Sequence, residues 1–175
     1  MTGKLVGIVL IVAGVVAGAA MYYLQVYAFY ERIEPTGQGD VQLTARGAGM
    51  PEPVSHEDFR AIDADSSPIR YRACFQTDLD PATLEGVYRP YRGAVPLEAP
   101  GWFDCFDADS IGAGLEAGTV RAFLGEKNIE YGIDRVVAVS QDGRGYVWHQ
   151  INHCGEVVFD GKPTPEDCPE PPEGY

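Results

Sequence analysis

No charged residue occurs between Leu5 and Tyr30, a run of 26 positions. A segment so free of charge is excluded from an ordinary water-exposed surface. Basic residues are scarce elsewhere too: 13 Lys and Arg stand against 26 Asp and Glu, for a net charge of −13 at pH 7. Lys4 is the only charge before Glu31, so the rest of the chain carries 12 basic and 26 acidic residues, or −14. That balance repels phosphate backbones and anionic head groups, which excludes nucleic-acid binding. It serves solubility first, and a basic protein is its natural complement. The chain has no C-x-x-C pair, and no cysteine is followed by His. A thioredoxin-like redox site and a c-type haem site are therefore excluded. It also lacks G-x-S-x-G, H-E-x-x-H, a P-loop and an EF-hand loop, the short patterns of several hydrolase, metalloprotease, nucleotide and calcium chemistries. No internal repeat is present.

The uncharged run is itself the strongest positive feature. About 20 apolar residues at ~1.5 Å each span a bilayer core, so residues 5–30 predict a transmembrane helix. Tyr22, Tyr23, Tyr27, Phe29 and Tyr30 crowd its C-terminal end, as an aromatic belt at a lipid–water boundary would. Lys4 before the run favours an N-terminus inside and the remainder outside. A cleaved signal peptide is the rival, with Ala17-Gly18-Ala19 as the small-residue site. The apolar run continues well past it, which favours an uncleaved anchor. Gly14 and Gly18 form G-x-x-x-G, and Gly7 lies two turns earlier on about the same face. Such small residues let two membrane helices approach closely, so Gly7, Gly14 and Gly18 are the candidate helix-packing face.

Cys74, Cys105, Cys154 and Cys168 make an even set in a domain expected outside the cytoplasm, which reads as two disulfides. Three pairings are possible. The reading favours Cys74–Cys105, in similar apolar contexts, and Cys154–Cys168, which would close a short loop and pin a proline-rich tail.

Along the chain, residues 1–4 are expected inside, 31–40 form a linker, 41–163 a periplasmic domain and 164–175 a Pro/Glu-rich tail. Residues 40–45 alternate like a strand, and Ser55 with Asp58 suggests a capped helix. Ile69–Phe75 reads as a strand, and Asp80-Pro81 starts a helix that Gly86 ends. Trp102–Phe106 reads as an apolar strand. Asp109 or Ser110 caps a helix carrying Ile111 and Leu115. Residues 135–140 and 146–151 flank Asp142-Gly143, a hairpin signal. Residues 156–159 add a further strand. The fold class is α+β: an N-terminal transmembrane helix, then a mainly antiparallel sheet with short helices and two disulfides.

Chemistry is sparsely marked. His149 and His153, with Cys154 beside the second, are weak candidate ligands for zinc or copper, as the carboxylate clusters are for calcium, and on a strand the two histidines would lie about 13 Å apart unless the chain bends at Asn152. Asp63 and Asp65, and Asp104, Asp107 and Asp109, are carboxylate clusters that equally suit turns and caps. Trp102, Tyr71, Tyr88, Tyr91, Tyr146 and Trp148 read as core before they read as a groove. No catalytic residue, resident metal or cofactor is expected.

The stretches MYYLQVYAFY, IDADSSPIRYRACF, APGWFDCFDAD, GIDRVVAV, DGRGYVWHQIN and CGEVVFDGKP resemble a small family of single-pass membrane proteins of Rhodobacter-type alphaproteobacteria. That family carries a domain of unknown function. The resemblance covers nearly the whole chain. It implies a Gram-negative inner membrane and a periplasmic domain, and brings no activity and no catalytic residues. The expected function is a non-enzymatic accessory or assembly subunit of an inner-membrane complex, a respiratory one first. Its partners would be the bilayer, an integral membrane protein through the helix and a basic periplasmic protein such as a cytochrome c. The alternatives are a periplasmic ligand-binding or sensing module, which would need a partner to signal inward, and a metal-handling assembly factor.

Overall fold

The computed structural model describes residues 3–173. Helix α1 (Gly3–Tyr23) passes into a π-helical turn, Leu24–Ala28. Together they make the one helix among the described residues that is long and apolar enough to cross a membrane, with a mean hydropathy of 2.5. A signal sequence meets the same test.

The chain then enters the sheet at once. Strand β1 (Glu31–Ile33) pairs antiparallel with β4 (Glu57–Asp63), Arg32 opposite Ile62. Segment 31–40, expected as a linker, thus contains an edge strand. Strands β5 (Arg72–Gln76), β6 (Val120–Glu130), β7 (Ile133–Ser140) and β8 (Arg144–Ile151) complete a six-stranded sheet ordered β1-β4-β5-β8-β7-β6. Every neighbouring pair is antiparallel. A second, two-stranded sheet joins β2 (Gln42–Thr44) to β3 (Pro51–Pro53). The short helices are α2 (Pro81–Val87), α3 (Ala108–Ala117) and α4 (His153–Phe159).

Both faces of the large sheet are covered. On one, Ala61, Ala73, Phe75, Val137, Val139 and Val147 pack with Val41, with Leu43 of the small sheet and with Leu84 of α2. On the other, Ile62, Cys74, Val136, Ala138, Tyr146 and Trp148 pack with Phe103, Phe106 and Ile111. A strand covered on both sides buries consecutive residues, so β7 is buried at seven of its eight positions. The two disulfides are Cys74–Cys105 and Cys154–Cys168. The first ties β5 to the irregular segment that carries Phe103 and Phe106. The α+β architecture, the antiparallel sheet and both pairings agree with the expectation from sequence.

Four local expectations are corrected. Residues 55–58 are not helical: Asp58 takes φ +51° at an irregularity of β4, where sheet pairing outweighs the cap signal. Residues 102–106 form successive turns, with Phe103 N–H bonded to Pro100 O at 2.8 Å and Phe106 N–H to Phe103 O at 3.2 Å. Prolines upstream and the disulfide hold those turns, and they send both phenylalanines into the core. Residues 156–159 belong to α4. Its cap is Asn152, whose side chain accepts from Cys154 N–H and Gly155 N–H at 3.0 and 3.1 Å. Helix α3 is capped by Asp107, two residues before the expected start. Helix α2 starts and caps as expected, with Asp80 accepting from Thr83 N–H at 3.1 Å. The 142–143 hairpin is present, Gly143 supplying φ +83°.

One close approach tests the central pairing. Gly145 sits opposite Phe75, whose ring covers the space a Cβ would need. Gly145→Ala is expected to lose about 1–3 kcal/mol through overpacking. Gly86→Ala, in α2 with open space around it, is expected to lose nothing. Urea midpoints of the two variants check the difference.

Candidate functional site

The most developed site is the junction where the apolar helix meets the sheet. The Trp102 indole N–H donates to the Val26 carbonyl of the π-turn at 2.7 Å. Tyr27 stacks on Trp102 with centroids 6.4 Å apart, and Tyr30 meets it edge-on at 6.3 Å. The Arg32 guanidinium lies 6.0 Å over the indole, and Arg70 lies 5.8 Å over Tyr30. Arg70 also donates to the Tyr30 hydroxyl at 3.3 Å. Tyr27 and Tyr30, at the end of the apolar run, therefore meet a tryptophan that lies far along the chain, 76 residues after Val26. Gly7, Gly14 and Gly18 have no atom within 4 Å of a built Cβ, so they line open helix surface.

Behind the junction, Arg72 is buried at 3% exposure. Its guanidinium donates to the carbonyls of Ile69, Tyr71, Leu97 and Glu98 at 2.7–3.1 Å. Four backbone acceptors replace water around this charge, and it lies 5.7 Å over Phe106. Burial pulls its pKa down to about 10. Arg72 thus clamps the 97–98 segment against the start of β5.

His149 is on β8 and buried. Its Nδ1 lies 2.8 Å from Pro68 O, and its Nε2 accepts from Arg135 Nε at 3.1 Å. Those partners require the neutral ring with its proton on Nδ1. Its ring stacks on Tyr71 at 4.7 Å, and Arg135 covers the other part of the group, 4.9 Å over Tyr71. Burial first, then the Arg135 charge, pull the His149 pKa down to about 4. Burial raises the Tyr71 hydroxyl to about 12. His56 is part-buried, its Nδ1 against Val54 O at 2.9 Å. His153 is exposed at the start of α4, not beside His149, and its ligand atom clusters with those of Asp167 and Cys168.

A polar hub joins α4 to the sheet. Asp134 accepts from Asn152 Nδ2 at 2.7 Å, Asn128 N–H at 3.0 Å and the Tyr91 hydroxyl at 3.2 Å. Asn152 Nδ2 also donates to Asn128 Oδ1 at 2.8 Å. Burial and the Asp134 charge hold the Tyr91 hydroxyl far above its ordinary range. The sequence marks Asn152 only as a possible bend, and it gives no sign of Asn128 or Asp134. The Asn152 cap was the one readable sign, as an Asn directly before the helix.

An open groove of about 620 Å³ is lined by Arg60, Gln76, Asp104, Arg144, Tyr146 and the Cys74–Cys105 bond. Arg60 meets Asp104 at 3.4 Å and Arg144 meets Asp142 at 2.7 Å, all four side chains exposed. Hydrogen bonds from Arg144 and Ser140 hold the Asp142 carboxyl down at about 2. A second hollow shares Phe59, Arg60 and Asp104 and reaches Arg32 and Trp102. The carboxylate clusters divide: Asp107 caps α3, Asp104 faces Arg60, and Asp63, its pKa raised by burial, accepts from Ala64 N–H. Tyr71, Tyr146 and Trp148 are buried and Tyr88 packs against the core, as read.

A family profile described as a family of unknown function (DUF6446) matches residues 41–169. The chain belongs to this family. The match takes in all four cysteines, Trp102 and His153, and begins after the apolar helix and β1. No curated protein and no solved structure matches the chain.

The buried neutral His149 has a measurable consequence. Unfolded, its pKa returns to about 6.5. Between pH 6.5 and 4 the unfolded chain then binds the extra proton, so the His149 contribution is complete above 6.5 and lost on acidification toward 4. The loss is on the order of 3 kcal/mol. His149→Phe keeps a ring against Tyr71 and removes the titration. It should be less stable at pH 7 and flatter between pH 6.5 and 4, as read from denaturation curves across that range.

Proposed function

We propose that the protein is a non-enzymatic accessory or assembly subunit of an inner-membrane complex, of the respiratory class. It is anchored by α1 with its N-terminus inside and its disulfide-bonded domain in the periplasm. The carrying observation is the Trp102–Val26 bond and the immediate start of β1. The apolar helix and the sheet form one continuous unit, so the domain holds one attitude at the membrane surface. A fixed attitude suits a subunit that must present a set face to a neighbour. A tethered sensor or a roaming carrier needs slack at that point. Lys4 inside, the aromatic collar at the outer boundary and two disulfides support the same orientation. Gly7, Gly14 and Gly18 offer a close-packing face to a membrane helix. The excess of acidic groups complements a basic carrier such as a cytochrome c.

The groove favours a second reading, a periplasmic ligand-binding module, because Arg60, Arg144 and Tyr146 converge on one open space. Mild-detergent extraction of the full chain and identification of co-purifying proteins separates the two. The subunit reading expects recovery at fixed stoichiometry with a membrane complex, lowered when Gly14 and Gly18 are both replaced by Leu. Migration of the wild type alone would overturn it.

A further inference from the structure

The start of α4 and the proline-rich tail gather donor atoms around the second disulfide. His153 and Asp167 are exposed, and one ligand atom of each lies within 4.8 Å of the other and of Cys168 Sγ. Cys154 follows His153 directly and is bonded to Cys168, so its sulfur belongs to the same spot. In the disulfide neither sulfur is a thiolate, and an imidazole with one carboxylate is a poor site. In the dithiol, two thiolates, an imidazole and a carboxylate make a four-donor set of the kind tetrahedral zinc sites use. We propose that the reduced Cys154–Cys168 pair, with His153 and Asp167, is a redox-gated site for a thiophilic divalent ion of the zinc class.

Contacts other than the sulfur–sulfur bond hold these residues in place. The Asn152 side chain fixes Cys154 N–H and Gly155 N–H, and Asn152 is itself held by Asp134 and Asn128. On the tail, Cys168 N–H bonds to Pro165 O at 3.0 Å, and the Tyr131 hydroxyl donates to Pro169 O at 3.0 Å. The Tyr131 bond therefore still ties the tail beside α4 when the disulfide opens. Glu156, Glu166, Asp167 and Glu170 surround the spot in sequence and raise the local cation concentration. Cys154 is buried while His153 and Asp167 are exposed, so an ion enters from solvent and meets the buried sulfur last.

The chemistry balances with a dithiol as reductant. Its two thiols become a disulfide, and its two electrons and two protons convert the Cys154–Cys168 bond to two thiols. Ion binding displaces both thiol protons to solvent, so uptake strengthens as pH rises. A disulfide oxidant reverses the exchange and releases the ion.

The test uses the untagged full chain in detergent, reduced with a phosphine and freed of it, then titrated with Zn²⁺ against a chromogenic chelator. One equivalent is expected in the reduced protein and none at that affinity in the oxidised protein. Co²⁺ should give a tetrahedral spectrum with thiolate charge-transfer absorption. His153→Ala and Asp167→Asn should each weaken uptake roughly tenfold or more. Neither change touches Cys74–Cys105, so equal affinity in both variants and wild type would assign the ion elsewhere and overturn the proposal. Folded reduced protein that takes up no zinc would overturn it, as would reduced protein that unfolds and is not refolded by zinc. Co-purification with a membrane complex is a separate readout, and its outcome leaves this one standing.

Discussion

The Trp102 indole N–H reaches the Val26 carbonyl at 2.7 Å, where the apolar helix has loosened into a π-turn. Carbonyls at a helix C-terminus have no partner within the helix, and a carbonyl shielded from water without a donor is expensive. Supplying the donor from the folded domain satisfies the helix end and docks the domain in one step. A neutral hydrogen bond of this kind contributes about 1 kcal/mol net. Tyr27, Tyr30 and Arg32 add ring contacts around the same indole. Two residues after Phe29 the chain is already paired with β4, so no slack intervenes.

The rest of the domain can be traced from that point. Trp102 stands in a segment without regular structure, and such a segment positions a side chain only if it is itself held. Arg72 fastens residues 97 and 98 through two carbonyls, Cys105 fastens the far side to β5, and Phe103 and Phe106 plug into the sheet. Each hold is a different kind of interaction: charge-assisted hydrogen bonds, a covalent bond and apolar burial. Asn152 and Asp134 play the same part for α4. The sheet between is covered on both faces, which gives these holds a rigid base.

That double cover also explains what could be read from sequence. The 142–143 hairpin, the Asp80 cap and the uncharged helix carry short-range signals, and all three appear where expected. The pairing of the cysteines was legible because Cys154 and Cys168 are close in sequence. Strand β6 passed unread: it mixes Phe123 and Leu124 with Glu126, Lys127 and Glu130 and is interrupted by Gly125, so neither alternation nor an apolar run marks it. Trp102–Phe106 looked like a strand because both Phe103 and Phe106 are core residues, and burial in turns resembles burial in a strand. His149 and His153 drew notice for their spacing. Their roles instead follow from tertiary neighbours: Pro68, Tyr71 and Arg135 for one, Asp167 and Cys168 for the other. The Trp102 junction joins residues 76 apart, beyond any local pattern.

Hydrogen exchange of the full chain in lipid nanodiscs measures the coupling of helix to sheet most directly. If the two are one unit, amides from residue 24 through 33 exchange slowly, with protection that approaches that of β5 and β8 and falls in Trp102→Phe. Fast exchange across residues 29–33 in the wild type, with the sheet still protected, would mean a flexible tether and would contradict the account.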